Sequence, residues 1–234
     1  MARTALPGRL SWRVATLATI RDETATARTL TFDVPEWPGH LPGQHVDVRL
    51  TAEDGYSTQR SYSLATDSGI ELTVQKVDDG EVSPYLASVL KVGEQVELRG
   101  PVGGWFVWRP TDTAPVLLIA GGSGIVPLMA MIRARKTASS RVPFRLIYSV
   151  RTPADVIYAD ELRLPAGGLD VHYLYTRDGT GRRIGVADVN THGWPADFEP
   201  DCFVCGPTGF VETVADILVA LGHQPRKIKT ERFG

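Results

Sequence analysis

The stretch Pro115-Val116-Leu117-Leu118-Ile119-Ala120-Gly121-Gly122-Ser123-Gly124-Ile125-Val126-Pro127-Leu128-Met129-Ala130-Met131-Ile132 decides the architecture. Residues 113–132 carry no charge, and a run of that length could cross a bilayer. The glycines and Pro127 argue otherwise, because they would break a spanning helix where no water can satisfy the freed backbone. Two shorter elements fit the pattern: a buried strand over 115–120 and a helix over about 126–136, joined by a tight turn. Glycines in that turn permit positive φ and close backbone approach. The helix that follows presents its unpaired N–H groups to an anion at the carboxyl edge of a sheet. The spacing is neither the GxGxxG fingerprint nor a Walker motif, since no Lys-Ser or Lys-Thr pair follows.

Downstream of this stretch, near-continuous apolar runs alternate with helical ones. Strands are expected at 116–120, 144–150, 169–175, 202–205 and 226–230, with helices near 126–136, 155–163, 185–190 and 208–221. That alternation predicts a parallel sheet covered by helices on both faces, a Rossmann-like α/β domain. Upstream, short β-branched and aromatic segments at 12–20, 28–34, 45–50, 59–65, 70–77 and 95–99 are separated by turn residues such as Pro42-Gly43 and Asp54-Gly55. They predict an antiparallel β-barrel interrupted by one helix, which Ser83 would cap and Pro84 would begin. The division between the domains is expected near residue 110, giving domains of 1–110 and 111–234.

Composition narrows the function. With 234 residues, 43% hydrophobic and 22% charged, the chain can bury two ordinary cores and is neither disordered nor fibrous. The 23 glycines and 16 prolines exceed the roughly 12% of average usage, which disfavours a helical bundle. A net charge of -2 gives no basic excess for phosphate backbones and speaks against nucleic acid as a partner. Two cysteines, Cys202 and Cys205, are too few for a disulfide-framed secreted domain and cannot supply the four thiolates of an iron–sulfur cluster. Met1 to Leu10 lacks an apolar signal-peptide core, so a cytoplasmic, reduced protein without membrane association is expected.

Three groups of residues could carry chemistry. On one barrel strand, alternation sends Arg60 and Tyr62 to one face and Ser61 and Ser63 to the other. Gly80-Glu81-Val82-Ser83 opens the lone helix and offers amide N–H groups to an anion that Arg60 could grip in a two-pronged way, with a planar ring stacked on Tyr62. An ordinary cross-strand pair beside an ordinary capped helix explains the same residues. The turn Gly122-Ser123-Gly124 is the second group. The third is Cys205-Gly206-Pro207 at a strand's end, where open sheets bind ligands. Cys202 and Cys205 form a C-x-x-C, but residues three apart in a strand face opposite sides and no second pair completes a metal site, so no metal is expected.

Taken in order, Arg60-x-Tyr62-Ser63, Gly80-x-x-Ser83, Gly121-Gly122-Ser123-Gly124-Ile125-x-Pro127 and Cys205-Gly206-Pro207 closely resemble the ferredoxin–NADP⁺ reductase superfamily. Pro42-Gly43-Gln44 and Glu231-Arg232-Phe233-Gly234 resemble it too, and the likeness runs through essentially the whole chain. The resemblance implies a flavin-dependent NAD(P)H oxidoreductase with FAD on the barrel and a pyridine nucleotide on the parallel sheet. By that likeness Arg60 binds the flavin phosphate, Ser61 accompanies it on the strand, Tyr62 stacks on the isoalloxazine and Ser63 hydrogen-bonds near its N5. Gln75, Lys76 and Val77 line the flavin edge, while Gly80, Val82 and Ser83 cradle the pyrophosphate. Gly122, Ser123 and Gly124 face the nucleotide's phosphates, and Cys205, Gly206 and Pro207 sit by the nicotinamide. Phe233 shields the other flavin face and yields to the nicotinamide, with Glu231 in the same cleft. FMN is the alternative flavin. With no iron–sulfur domain expected, electrons would pass to a separate acceptor such as a ferredoxin or another redox protein. Ser149-Val150-Arg151, with Arg177, Arg182 and Arg183, favours NADPH over NADH, a solvated basic face being the bland alternative. A non-catalytic partner subunit or regulator on the same scaffold, and a ferric-siderophore reductase, remain as other readings.

Overall fold

The computed structural model describes residues 10–52, 54–77, 79–164, 167–179 and 181–233. Its first half holds β1 (Trp12–Asp22), β2 (Ala27–Asp33), β3 (His45–Thr51), β4 (Ser57–Ser63), β5 (Ile70–Gln75) and β6 (Gln95–Val102), paired antiparallel in the order β4-β3-β6-β1-β2-β5. A bridge between Leu64 and Leu72 draws the end of β4 onto β5, curling the sheet toward a barrel. Period-two alternation turns Ala15, Leu17, Leu30, Phe32, Val46, Val48, Leu72 and Leu98 into one buried core. Helix α1 (Val82–Ser88) packs Val82, Leu86 and Ala87 against that core.

The start of α1 differs from the sequence expectation. The helix begins at Val82 with Glu81 before it, and no side chain caps it. The Ser83 hydroxyl instead accepts the Val77 N–H at 3.1 Å, tying the helix back to the turn after β5. Pro84 is then the third helical residue, where its missing N–H is still one of the unpaired four.

The second half is a parallel sheet of β7 (Val116–Gly121), β8 (Phe144–Val150), β9 (Leu169–Tyr175), β10 (Asp201–Pro207) and β11 (Ile228–Phe233), in the order β11-β10-β7-β8-β9. Helices α2 (Ile125–Thr137), α3 (Ala159–Arg163), α4 (Val186–His192) and α5 (Thr208–Ala220) connect them. One face buries Leu118, Ala120, Phe203 and Cys205, and the other buries Leu117, Ile119, Cys202 and Val204 beneath α5. The strand order reverses between β7 and β10, and ligands of open α/β sheets lodge outside the carboxyl ends at such a reversal.

Two further expectations are corrected. The helix expected over 155–163 splits into a single turn at Pro153–Asp155 and the short α3, because Tyr158 between them takes a left-handed backbone (φ 61°). The last strand begins at Ile228 rather than 226, after a turn at Pro225–Lys227. Among the described residues, no helix is long and apolar enough to cross a membrane.

Candidate functional site

The end of β4 meets β11 through Ser63 and Glu231, and β11 lies beside β10, which pairs in turn with β7. Arg60 and Tyr62 lie directly opposite Val48 and Val46 of β3, so they share the face that β3 turns toward the barrel core. Tyr62 packs half-buried against that core. Burial pushes its phenol up to about 12 against the pull of the Arg60 charge, which keeps the ring neutral. Arg60 is exposed and forms no ion pair among the described residues; one N–H donates to the Gln59 carbonyl at 2.8 Å and the rest of the guanidinium is open to an anion. Ser61 points away from this pair and donates to Asp47 at 2.7 Å, a carboxylate that Arg99 also holds at 2.7 Å. Its part is therefore to brace β4 on β3.

Ser63 reaches across the cleft. Its hydroxyl donates to Glu231 of β11 at 2.9 Å. In the parallel register Glu231 stands beside Cys205, and Arg232 and Phe233 stand beside Gly206 and Pro207. Burial pushes the Glu231 carboxyl up, with Ser63 drawing it partly back. Burial also pushes the Cys205 thiol well up, and the neighbouring Glu231 adds to it, so this sulfur is a protonated packing group rather than a nucleophile. Cys202 faces the opposite side of the sheet, and its thiol is raised to about 12, chiefly by burial. Among the described residues no His, Cys, Asp or Glu group could hold a metal ion.

The two glycine turns are fitted to each other. A Cβ at Gly124 would lie 2.1 Å from the Cys205 carbonyl oxygen, and one at Gly206 would lie 2.7 Å from the Phe210 ring. Only glycine lets the β7 and β10 turns approach so closely. Gly122 takes φ 56°, and Ser123 stays half-exposed at the head of α2. Pro207 and Phe233 stand side by side and exposed at the rim.

On the barrel side, Gly80 donates its N–H to the Val77 carbonyl at 3.0 Å, and a Cβ there would sit 3.0 Å from the Ser83 hydroxyl. This brings the backbone of Gly80, Val82 and Ser83 to one place, with the Gly80 N–H already bonded to Val77 and the first-turn N–H groups of Val82 and Ser83 suited to a diphosphate. Beside it Gln75 is half-buried, Lys76 donates its backbone N–H to Thr26 at 2.8 Å, and Val77 is 59% exposed. An amide cradle, an open arginine, a neutral aromatic ring and an exposed apolar edge together fit a flavin nucleotide.

Arg151 and Arg182 fare differently. Arg151 is exposed at the end of β8, where its carbonyl accepts the Arg177 N–H at 2.8 Å. Arg182 instead donates two hydrogen bonds to Asp188, at 2.5 and 2.6 Å, so its charge is already matched inside the protein. Sequence reasoning missed Asp47, which holds Ser61, and a polar cluster around Tyr158 and Arg133 that joins the halves. Their partners lie 14 to 135 residues away, beyond the reach of any local pattern.

Two family models match the chain: an oxidoreductase FAD-binding domain over residues 14–107 and an oxidoreductase NAD-binding domain over 118–216. The glycine betaine monooxygenase reductase subunit of Chromohalobacter salexigens is 31% identical over 91% of this chain and 61% of its own length. A naphthalene 1,2-dioxygenase/salicylate 5-hydroxylase ferredoxin–NAD(P)⁺ reductase component of Ralstonia is 29% identical over 93% of this chain and 68% of its own. Among solved structures, the FAD/NAD-binding domain of a Vibrio cholerae nitric oxide dioxygenase aligns with a TM-score of 0.84 at 25% identity, covering 95% of this chain and 98% of that domain. A carbazole 1,9a-dioxygenase ferredoxin reductase aligns at 0.82 with 26% identity, covering 98% of this chain and 70% of the other. The chain spans about three fifths of the length of the first curated relatives it matches. With the barrel matched by the first model and the parallel sheet by the second, the chain belongs to the ferredoxin–NADP⁺ reductase superfamily of FAD- and pyridine-nucleotide-binding oxidoreductases.

Proposed function

We propose that this protein is a flavin-dependent NAD(P)H oxidoreductase that delivers electrons to a separate acceptor, a ferredoxin or an oxygenase component. The observation that carries this reading is the junction of Ser63, Glu231 and Cys205. There Ser63, the residue after Tyr62 on β4, reaches β11, whose Glu231 and Arg232 pair with Cys205 and Gly206 of β10. FAD, when bound, would supply the redox chemistry, taking up a hydride from the dihydronicotinamide and releasing both electrons to the acceptor. The residues bind and align: Arg60 and the Val82 and Ser83 amides hold the flavin phosphates, Gly80 closes the turn beside them, and Tyr62 supports its ring. Gln75, Lys76 and Val77 border it. Gly122, Ser123 and Gly124 take the nucleotide's phosphates, and Cys205, Gly206 and Pro207 flank the nicotinamide beside Phe233. Orientation does the work, and no general base is called for.

We place the boundary between the two binding units near residue 110. The cytoplasm suits two buried, unpaired thiols. NADPH is the favoured donor. Because Asp188 already holds Arg182, this preference rests on exposed Arg151 with its neighbours Arg177 and Arg183.

The test is anaerobic titration of the purified protein after its flavin is identified by mass. FAD should be found, and NADPH should bleach it more efficiently than NADH. Arg151→Ala should weaken NADPH about tenfold, the usual cost of one charge-assisted contact, and leave NADH unchanged. A chain that takes up no flavin, or whose flavin neither nucleotide reduces, would end the proposal.

A further inference from the structure

A closed ring of hydrogen bonds joins the two halves away from the cleft. Tyr158, on the nucleotide side just before α3, is 2% exposed and takes a left-handed backbone that bulky residues rarely adopt. Its hydroxyl contacts Thr73 of β5 at 2.5 Å, Thr73 contacts Thr29 of β2 at 2.8 Å, and Thr29 donates to Glu23 at 2.6 Å. The other oxygen of Glu23 accepts the backbone N–H of Tyr158 at 3.2 Å and closes the ring. A carboxylate only accepts, so Thr29 must donate to it, Thr73 to Thr29, and Tyr158 to Thr73. Every hydroxyl therefore has one assigned direction, and the bulky residue is held in its uncommon backbone from both ends.

Arg133 of α2 extends the ring. Its guanidinium lies 5.0 Å over the Tyr158 ring, pairs with Glu71 of β5 and Glu161 of α3, and donates to the Ala65 carbonyl at 2.8 Å. The attached elements lead straight to the cleft. Thr73 is two residues before Gln75, Ala65 two after Ser63, and α2 begins immediately after Ser123-Gly124.

We propose that Tyr158 is a positioning residue: its hydroxyl registers the nucleotide-binding half on the flavin-binding half and so sets the ring-to-ring distance for hydride transfer. This rests on the functional reading above. The clasp itself neither gives nor takes electrons or protons.

The test is Tyr158→Phe in the flavin-loaded protein, which keeps the aromatic ring and removes only the donor. Anaerobic stopped-flow reduction by NADPH and its 4-deuterated form, over a range of temperatures, should show the limiting rate falling about tenfold while the nucleotide dissociation constant moves less than twofold. The deuterium isotope effect should become more temperature-dependent, and the long-wavelength absorption of the stacked ring pair should weaken. In the flavin-free protein, amide hydrogen exchange around Thr29 and Thr73 should quicken. Thr73→Val cuts the same chain from the barrel side and carries the test if Tyr158→Phe does not fold. A lowered melting temperature with unchanged rate and isotope effect would make Tyr158 merely structural and overturn the proposal alone. A wild type that neither NADPH nor NADH reduces would overturn the functional reading and this inference together.

Discussion

Glu231 holds a carboxyl between Ser63 and Cys205, where burial raises its affinity for a proton above the ordinary glutamate value of 4.5. The sign of the pH effect follows. In the folded state the group keeps its proton to higher pH than in the unfolded chain, so its contribution to stability is complete below about 4.5. That contribution declines as pH rises through the higher folded value, and is flat beyond it. Glu231→Gln keeps an acceptor for Ser63 and removes the titration. The variant should therefore melt above the wild type at pH 7, with the two curves converging near pH 4, as thermal scans across that range would read. Ser63, Cys205 and Glu231 could be picked out from the chain because short motifs mark them. That Ser63 donates to Glu231, 168 residues away, is a property of the assembled sheets alone.

The helices show how far local pattern carries. β8 and β9 begin and end at the expected residues, because their apolar runs are bounded by turn chemistry on both sides. α1 and α3 do not. Ser83 is drawn back to the Val77 N–H, and Tyr158 is held by barrel residues, so a distant or competing partner overrides the local signal in both. The start of α4 has a local partner instead. Asp188, 3% exposed, accepts the Gly185 N–H at 2.8 Å and both Arg182 donors. Asp188→Ala removes a helix cap and leaves these donors without their acceptor. It should lower stability by about 1–2 kcal/mol in urea unfolding, with no change in the barrel's own signals.

At the scale of the molecule, the two halves are joined by polar contacts, Ser63 to Glu231, Thr73 to Tyr158 and Arg133 to Glu71, and by apolar ones, Ala27, Ala65 and Phe106 sharing a core with Met131 and Phe203. The antiparallel and parallel halves were legible from the texture of the sequence, but this seam was not, since it is made of single residues scattered over both halves. Arg133 is 15% exposed at the side chain, and removing it would leave Glu161 without its cation and Glu71 with Arg21 alone, at 3.9 Å. Arg133→Ala should cost about 3 kcal/mol, and calorimetry should resolve two unfolding transitions in the variant where the wild type gives one. Hydrogen bonds are directional, whereas hydrocarbon contacts tolerate sliding. The aligned donors and acceptors therefore fix the angle at which the apolar contacts beside them pack. If the proposed function holds, a second ring is admitted by movement of something small rather than of a whole half, and the 39% exposed side chain of Phe233 is placed for it.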